Sequence, residues 1–400
     1  MKILHVSPFF SGGVGNVALN LTKELVNIGH EIVLATPSEI PWDIKHHVSQ
    51  CYSLRNPTLK DPFYSIQFYV FNCKKIEEIV KLERPDILLT HGPLVILAKA
   101  PRNLPTVSII HGTYINEVKW MIHHPMSYLD KLKYILSIYT TNYFDIKLYK
   151  CITKLKNVYL VAVSKKTREE LIKSGTRPNR VFSILNGVDK EKFKPINKDH
   201  AKLLLEKRLR IELGNKIILL HVNPGPRKGT HILLKAIDIF KDIYGNDLYL
   251  FIVGKTGPKS FEKYLEKMIK NLHLEKNVKM LGWVDENLLV ILYNSADLTI
   301  VPSYSEGSPL VIAESIACGT PVIATNVGGN PEYLKLVQLE DFIVELKHYD
   351  FSKDLSSKIL KFVSSRDKFL KLRNSYQFLI PSWNEVSKKL SSLFETFLIN

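Results

Sequence analysis

The sequence predicts an α/β protein made of two α/β/α sandwiches in tandem, each built on a parallel sheet. Three observations predict it. The chain has 400 residues, two to three times the usual domain, so two domains of roughly 150–200 residues are expected. Its strand candidates are short apolar runs. Segments of helical periodicity separate them, and parallel strands need such crossovers.

Taken in order, Lys2–Ser7 reads as a short buried strand, punctuated by Pro8 and by Gly12, Gly13 and Gly15. Val14, Val17, Ala18, Leu21, Leu25 and Ile28 then recur at helical spacing up to Gly29, and Glu31–Thr36 is the next strand. Such a strand, glycine loop, helix and strand open a doubly wound sheet. Further strands are predicted at Asp86–Thr90, Thr106–Ile110 and Val158–Val163. Past the linker-like Phe193–Asn197, a second series runs through Ile217–Val222, Leu248–Val253, Val278–Leu281, Leu298–Val301 and Pro321–Thr325. One segment breaks the rhythm. Between His111 and Val158 come Tyr114, Trp120, Tyr128, Tyr134, Tyr139, Tyr143, Phe144 and Tyr149, and residues 115–160 hold seven Lys against three acids. It reads as an insertion of one or two amphipathic helices, either covering the core or offering a surface to an acceptor or a lipid bilayer.

Composition narrows the function classes. With 45% hydrophobic and 24% charged residues the chain is an ordinary soluble globular protein. No run approaches the roughly 18 apolar residues of a membrane span. The start turns polar too soon for a signal peptide, so a cytoplasmic protein is expected. Cys51, Cys73, Cys151 and Cys318 lie far apart with no CxxC pair, which argues against a disulfide framework or a zinc site. The formal charge of +16 suits an anionic partner: nucleic acid, an acidic membrane or a phosphorylated small molecule. Residues 1–190 carry 25 Lys/Arg against 15 Asp/Glu, so most of the excess sits in the first half. It is spread out and no nucleic-acid motif accompanies it, so nucleic acid is not expected as a partner.

The chemistry concentrates at strand ends. After Leu298–Val301 comes Pro302, then a polar loop with Glu306 and Gly307, and Ser308-Pro309 reads as N-cap and first residue of a helix that includes Leu310. A helix starting at the carboxyl end of a parallel strand aims unpaired N–H groups into the crevice, an anion site suited to phosphate. Glu306 precedes that helix and Glu314 lies about one and a half turns inside it; carboxylates so placed accept sugar and ribose O–H bonds. Asn223, Arg227, Lys228 and Gly229 lie between the strand Ile217–Val222 and its helix, where a lysine beside a tight turn neutralises phosphate or is simply solvated. Gly12 and Gly13 let backbone amides approach a ligand, but the loop lacks the dinucleotide fingerprint, which disfavours a nicotinamide cofactor. His111 ends a buried strand at the same kind of edge, and His91 the strand before it. No two aspartates stand at i and i+2, so a metal-holding DxD site is absent.

These segments together resemble the retaining glycosyltransferases of family 4, which have the GT-B fold. The resemblance rests on Glu306 and Glu314 as an E-x7-E pair in the context Glu-Gly-Ser-Pro-Leu, and on Gly12–Gly15, His111–Thr113, Val163–Lys165, Ile184–Asp189, Arg227–Gly229, Gly282-Trp283, Val327–Glu332 and Ser382-Trp383. It implies two Rossmann-like α/β/α domains facing a central cleft. Residues 1–192 would bind the acceptor, with the basic aromatic insertion at about 114–157. Residues 193–376 would bind a nucleotide-diphosphate sugar, UDP- or GDP-linked, and 377–400 would form a helix crossing back to the first domain. Glu306 would contact the donor sugar, Glu314 the ribose, and His111 the transferred sugar. Lys228, the amides of Ser308 to Leu310 and the Gly13 loop would hold the diphosphate, with Gly282 and Trp283 bordering the base. Retention is implied, and the site offers Lys228 and helix-terminal amides in place of a metal, so no metal or other cofactor is expected. The basic aromatic insertion and the net charge suggest a glycan or lipid-linked acceptor and peripheral association with anionic membrane. The chain departs from the family where Asn223 stands in place of the usual Arg, so either Arg227 compensates or donor binding is altered. A nucleotide-sugar 2-epimerase, a sugar phosphorylase and an inactive scaffold protein of the same fold are the competing readings.

Overall fold

The computed structural model describes residues 1–8, 12–57, 64–92, 104–113, 119–152 and 154–399. They fall into two compact units, the first made of Met1–Ile115, Leu136–Gly187 and Pro381–Asn400, the second of Asn116–Ile135 and Val188–Ile380.

The first unit is a seven-stranded parallel sheet of β1 (Lys2–Val6), β2 (Glu31–Thr36), β3 (Gln50–Ser53), β4 (Ile87–His91), β5 (Thr106–Ile110), β6 (Val158–Ala162) and β7 (Val181–Ser183). Their spatial order is β3-β2-β1-β4-β5-β6-β7. β4 and β5 are buried at every residue, as strands covered by helices on both faces must be. Leu4, Val6, Val33, Leu88, Ile110 and Leu160 form the centre of one core layer; each such side chain taken fully out of water contributes about 1.5–3 kcal/mol. The terminal helix Trp383–Ile399 belongs to this unit: Asn384 donates to Glu24 (3.0 Å), His30 pairs with Ser391 (2.8 Å), and Phe397 stacks on Tyr159 at 3.6 Å. At Gly187 a Cβ would lie 2.7 Å from the Ser382 carbonyl carbon, so only glycine lets the returning chain pass.

The second unit is a six-stranded parallel sheet, order β10-β9-β8-β11-β12-β13, of β8 (Ile217–Val222), β9 (Leu248–Val253), β10 (Val278–Gly282), β11 (Leu298–Val301), β12 (Val322–Thr325) and β13 (Ile343–Val344). Helix Thr230–Tyr244 buries His231 to Leu234, Ala236, Ile237 and Phe240. Strand order reverses between β1 and β4 in one sheet and between β8 and β11 in the other. In open α/β sheets ligands bind outside the carboxyl ends of strands at such switch points.

The 114–157 segment divides instead of belonging wholly to the first domain. Its principal helix is Tyr128–Ile152, and residues 116–135 group with the second unit. The cause is aromatic packing: Trp120 and His124 lie against Tyr304 and Tyr349, and Ser260 donates to Asp130. Trp120, Tyr134 and Tyr149 turn to packed surroundings, whereas Tyr128, Tyr139 and Tyr143 are exposed. Tyr114 lies outside the described residues. Among the described residues no helix is long and apolar enough to cross a membrane.

Candidate functional site

In the second unit the loop after β8 is pressed against the end of β11. Asn223 leaves the strand with φ 60°, a left-handed conformation that asparagine tolerates better than most residues, and its N–H donates to Val253 O (2.7 Å). Gly229, at φ 68°, caps helix Thr230–Tyr244; a Cβ there would sit 2.0 Å from Pro302 O. Below the turn His221 fixes Thr230. Its Nδ1–H donates to Ile300 O (2.9 Å), so its Nε2 accepts from the Thr230 hydroxyl (2.9 Å), which accepts in turn from Gly225 N–H (3.0 Å). Burial pushes the His221 pKa down to about 4 and keeps this chain neutral.

The turn delivers two cations to one buried carboxylate. Lys228 Nζ donates to Glu306 Oε1 at 2.5 Å, Ser303 Oγ donates to the same oxygen at 2.7 Å, and Arg227 stands 3.6 Å from Oε2 while donating to Ser305 O. The Glu306 side chain is only 6% exposed. Burial alone would push its carboxyl up; Lys228, then Arg227, outweigh that and hold it below the usual range. Gly328 supports the loop from behind: at φ 51° it leaves no room for a Cβ, which would fall 2.0 Å from Glu306 O, and Gly329 N–H donates to Gly307 O (2.6 Å).

The helix start differs from the sequence expectation in one respect. The helix runs Leu310–Ala317 and Pro309 is its N-cap, in extended conformation with no side-chain cap bond. Ser308 does not cap it, because its hydroxyl is paired with Tyr333 OH at 2.8 Å. The backbone N–H groups of the first turn remain directed at the loop end, as at any helix start. Within this helix Glu314 Oε2 accepts from Tyr293 OH (2.8 Å), and burial pushes its carboxyl up to about 7. Gly282 ends β10 at φ 65°, accepting from Gly254 N–H (2.6 Å), and Trp283 beside it is 72% exposed. The structure therefore gathers Arg227, Lys228, Glu306, Gly307, Ser308 and the Pro309-Leu310 helix start at the β8/β11 switch point. Glu314 sits behind them, and Gly282 and Trp283 two strands away, at the end of β10.

The first unit carries the other predicted residues. Gly12 (φ 69°) and Gly13 open helix Gly12–Asn27, and among the described residues a Cβ on either would meet nothing within 4 Å. His111 follows β5. Its Nε2 lies 2.7 Å from His91 Nδ1, and His91 Nε2 lies 2.8 Å from His5 Nε2. Reasoning from sequence did not single out His5, which is hidden in an apolar strand; a histidine near the end of each of three strands was the available signal. Thr113 donates to Glu170. Among the described residues no cluster of three His, Cys, Asp or Glu is arranged to hold a metal.

Two family models together match most of the chain. Residues 11–192 match the family model described as Glycosyltransferase Family 4, and residues 202–376 that of Glycosyl transferases group 1. An uncharacterized glycosyltransferase of Methanocaldococcus jannaschii is 24% identical over 348 residues, 84% of this chain and 83% of its own. One subunit of the phosphatidylinositol N-acetylglucosaminyltransferase of Arabidopsis thaliana is 23% identical over 414 residues, 100% of this chain and 82% of its own. The crystal structure of Anabaena HepE in complex with UDP-glucose superposes with a TM-score of 0.73 at 18% identity, covering 99% of this chain and 100% of that one.

Proposed function

This chain belongs to glycosyltransferase family 4 and has the GT-B fold, and on that basis we propose that it transfers a sugar from a nucleotide-diphosphate donor, with retention and without metal, to a glycan or lipid-linked acceptor. The observation that carries the reading is the buried Glu306, neutralised by Lys228 at a helix start on the β8/β11 switch point.

Cleaving the anomeric C–O bond builds positive charge on the sugar ring and negative charge on the leaving diphosphate. Lys228, with Arg227 beside it, and the N–H groups of Leu310 and Val311 at the helix start suit that diphosphate; fixed donors aimed at developing charge are worth about 3 kcal/mol each, on the order of a hundredfold in rate. Glu306, ionised because two cations face it, suits the donor sugar's hydroxyls. Glu314 suits the ribose, Trp283 and Gly282 border the base, and Gly12 and Gly13 offer amides to the phosphates. His111 suits a hydroxyl of the transferred sugar. A UDP-sugar is the favoured donor, since HepE was crystallised with UDP-glucose.

A lipid-linked acceptor at an anionic cytoplasmic membrane face is supported by two features. The formal charge is +16. Helix Tyr128–Ile152 exposes Leu129, Leu132, Leu136, Tyr139 and Tyr143 along one stripe, apolar side chains that suit contact with lipid. Melting of the protein with UDP-, GDP- and ADP-glucose tests the donor: a ligand at a hundred times its dissociation constant adds about 2.7 kcal/mol. Absence of a shift with all three overturns the nucleotide-glucose assignment. Co-sedimentation with phosphatidylglycerol-containing vesicles at low salt tests the membrane reading, and protein left wholly in the supernatant removes it.

A further inference from the structure

β1, β4 and β5 lie side by side, with His5 opposite Leu89 and His91 opposite Ile109. His91 is thus two residues beyond the partner of His5, and His111 two beyond the partner of His91. Side chains alternate faces with period two, so the three imidazoles share one face and climb as a staircase toward the carboxyl edge of the sheet. The rings overlap in sequence, with centroids 5.1 Å and then 5.0 Å apart. At the foot stands Thr22 of helix Gly12–Asn27.

Proton counting gives this chain a direction. The Thr22 hydroxyl donates its only proton to Ala18 O (2.8 Å), a carbonyl that can only accept. With that proton on Ala18 O, His5 Nδ1, 2.9 Å from Thr22 Oγ1, is the donor. A neutral His5 then has a bare Nε2, so the 2.8 Å contact requires His91 to carry its proton on Nε2. His91 Nδ1 is then bare, and the 2.7 Å contact requires His111 to carry its proton on Nε2. Among the described residues one lone pair is left over, on His111 Nδ1.

We propose that Thr22, His5 and His91 are positioning residues that lock His111 as its Nε2–H tautomer, so that Nδ1 at the sheet edge accepts a hydrogen bond from a sugar hydroxyl and donates none. Burial supports the neutrality that the counting assumes, pushing His5 down to about 3, His111 to about 4 and His91 well below its ordinary value. The tautomer order stands on the chain alone; its use toward a sugar hydroxyl rests on the transferase reading.

Long-range ¹H–¹⁵N spectra of ¹⁵N-histidine-labelled protein at pH 7.5 test the order, with His5→Gln, His91→Gln and His111→Gln supplying the assignments. His5 is expected with its proton on Nδ1, and His91 and His111 with theirs on Nε2. His111 protonated on Nδ1, doubly protonated, or averaging between tautomers overturns the proposal. Thr22→Val removes the anchor at nearly constant volume and is expected to bring up the Nδ1–H form of His111, while Thr22→Ser keeps the wild-type spectrum. With UDP-glucose as probe, Thr22→Val is expected to weaken binding two- to tenfold, the range of one hydrogen bond, and Thr22→Ser to restore it. Unchanged tautomers in Thr22→Val overturn the role of Thr22. The spectra of the free protein decide the chain whether or not UDP-glucose proves to be the donor.

Discussion

Replacing Lys228 by Met should damage the second unit more than replacing its partner Glu306 by Gln. In Lys228→Met the Glu306 carboxylate stays in a pocket that leaves it 6% exposed, and its 2.5 Å partner is gone. Removing one member of a buried pair costs about 3–5 kcal/mol, because the survivor remains desolvated. Ser303 still donates at 2.7 Å and Arg227 still stands at 3.6 Å, so the lower end, about 3 kcal/mol, is expected. Glu306→Gln leaves a lysine that is 20% exposed and can turn to water, and the amide oxygen still accepts from Ser303; about 1 kcal/mol is expected. The double variant Lys228→Met/Glu306→Gln has no buried charge to strand. It should recover about 2 kcal/mol relative to Lys228→Met, which makes the coupling between the two substitutions about 3 kcal/mol, well above additivity error.

Calorimetric melting of the four proteins without ligand reads this directly, since 1 kcal/mol moves the midpoint of a domain this size by about 2–4 °C. The pH dependence adds a sign. In the wild type the depressed Glu306 pKa contributes stability that is present above the unfolded value of 4.5 and lost as pH falls through the folded one. Without Lys228 the desolvated carboxyl binds its proton more tightly, so the penalty of Lys228→Met should grow from pH 5 to pH 8. Penalties that simply add in the double variant, or that are the same at both pH values, would refute the claim that Lys228 is what makes a buried Glu306 tolerable.

Three further outcomes are expected. Gly229→Ala and Gly328→Ala each drive a Cβ to 2.0 Å from a carbonyl oxygen and should cost more than about 3 kcal/mol in melting experiments. Gly12→Ala, whose Cβ would meet none of the described residues within 4 Å, should cost only the left-handed backbone, about 1 kcal/mol. Glu314 has a folded pKa of about 7, above its unfolded 4.5, so the stability it contributes is present below 4.5 and lost as pH rises through 7. Glu314→Gln should therefore gain on the wild type by up to about 3 kcal/mol between pH 5 and pH 8, and a constant difference contradicts this. The imidazoles of His5, His124 and His231 are lowered to about 3 and those of His111 and His221 to about 4. They are neutral in both states above 6.5, and below it the unfolded chain takes up protons first, so melting temperature should fall steeply from pH 6.5 toward 4; a flat profile between pH 7 and 5 contradicts it.

The sheet centres were legible in the sequence because a strand buried on both faces has to be apolar throughout, and β2, β5, β8, β9 and β11 begin and end where their runs do. The strands that sequence reading missed, β3, β7 and β13, lie at sheet edges, where fewer neighbours press on them and Gln50–Ser53 or Val181–Ser183 needs no such run. The candidate site was legible as a set of residue types after β8 and β11, because cations, glycines and a carboxylate at strand ends stand out against the apolar runs before them. Its wiring was not. That Ser308 serves Tyr333 instead of the helix end depends on a residue 25 positions away. The docking of 116–135 depends on Tyr304 and Tyr349, far along the chain. The His5 staircase depends on the sheet order β1-β4-β5, which local pattern does not encode.

The two switch points meet one constraint, the cost of burying charge, in opposite ways. At β8/β11 a buried carboxylate is matched by Lys228, by Arg227 and by a helix start, so the edge stays polar and can trade one anion's partner for another's. At β1/β4/β5 the imidazoles bond to one another and to a hydroxyl, with no acid bonded to them among the described residues, and a cation there would stand alone in an apolar face. The chain answers by remaining neutral and passing hydrogen-bond direction, not charge, from Thr22 outward. The same parallel-sheet geometry thus supplies a charged edge in one unit and a neutral, hydrogen-bonded edge in the other, and the difference between them lies in whether a carboxylate follows the strand.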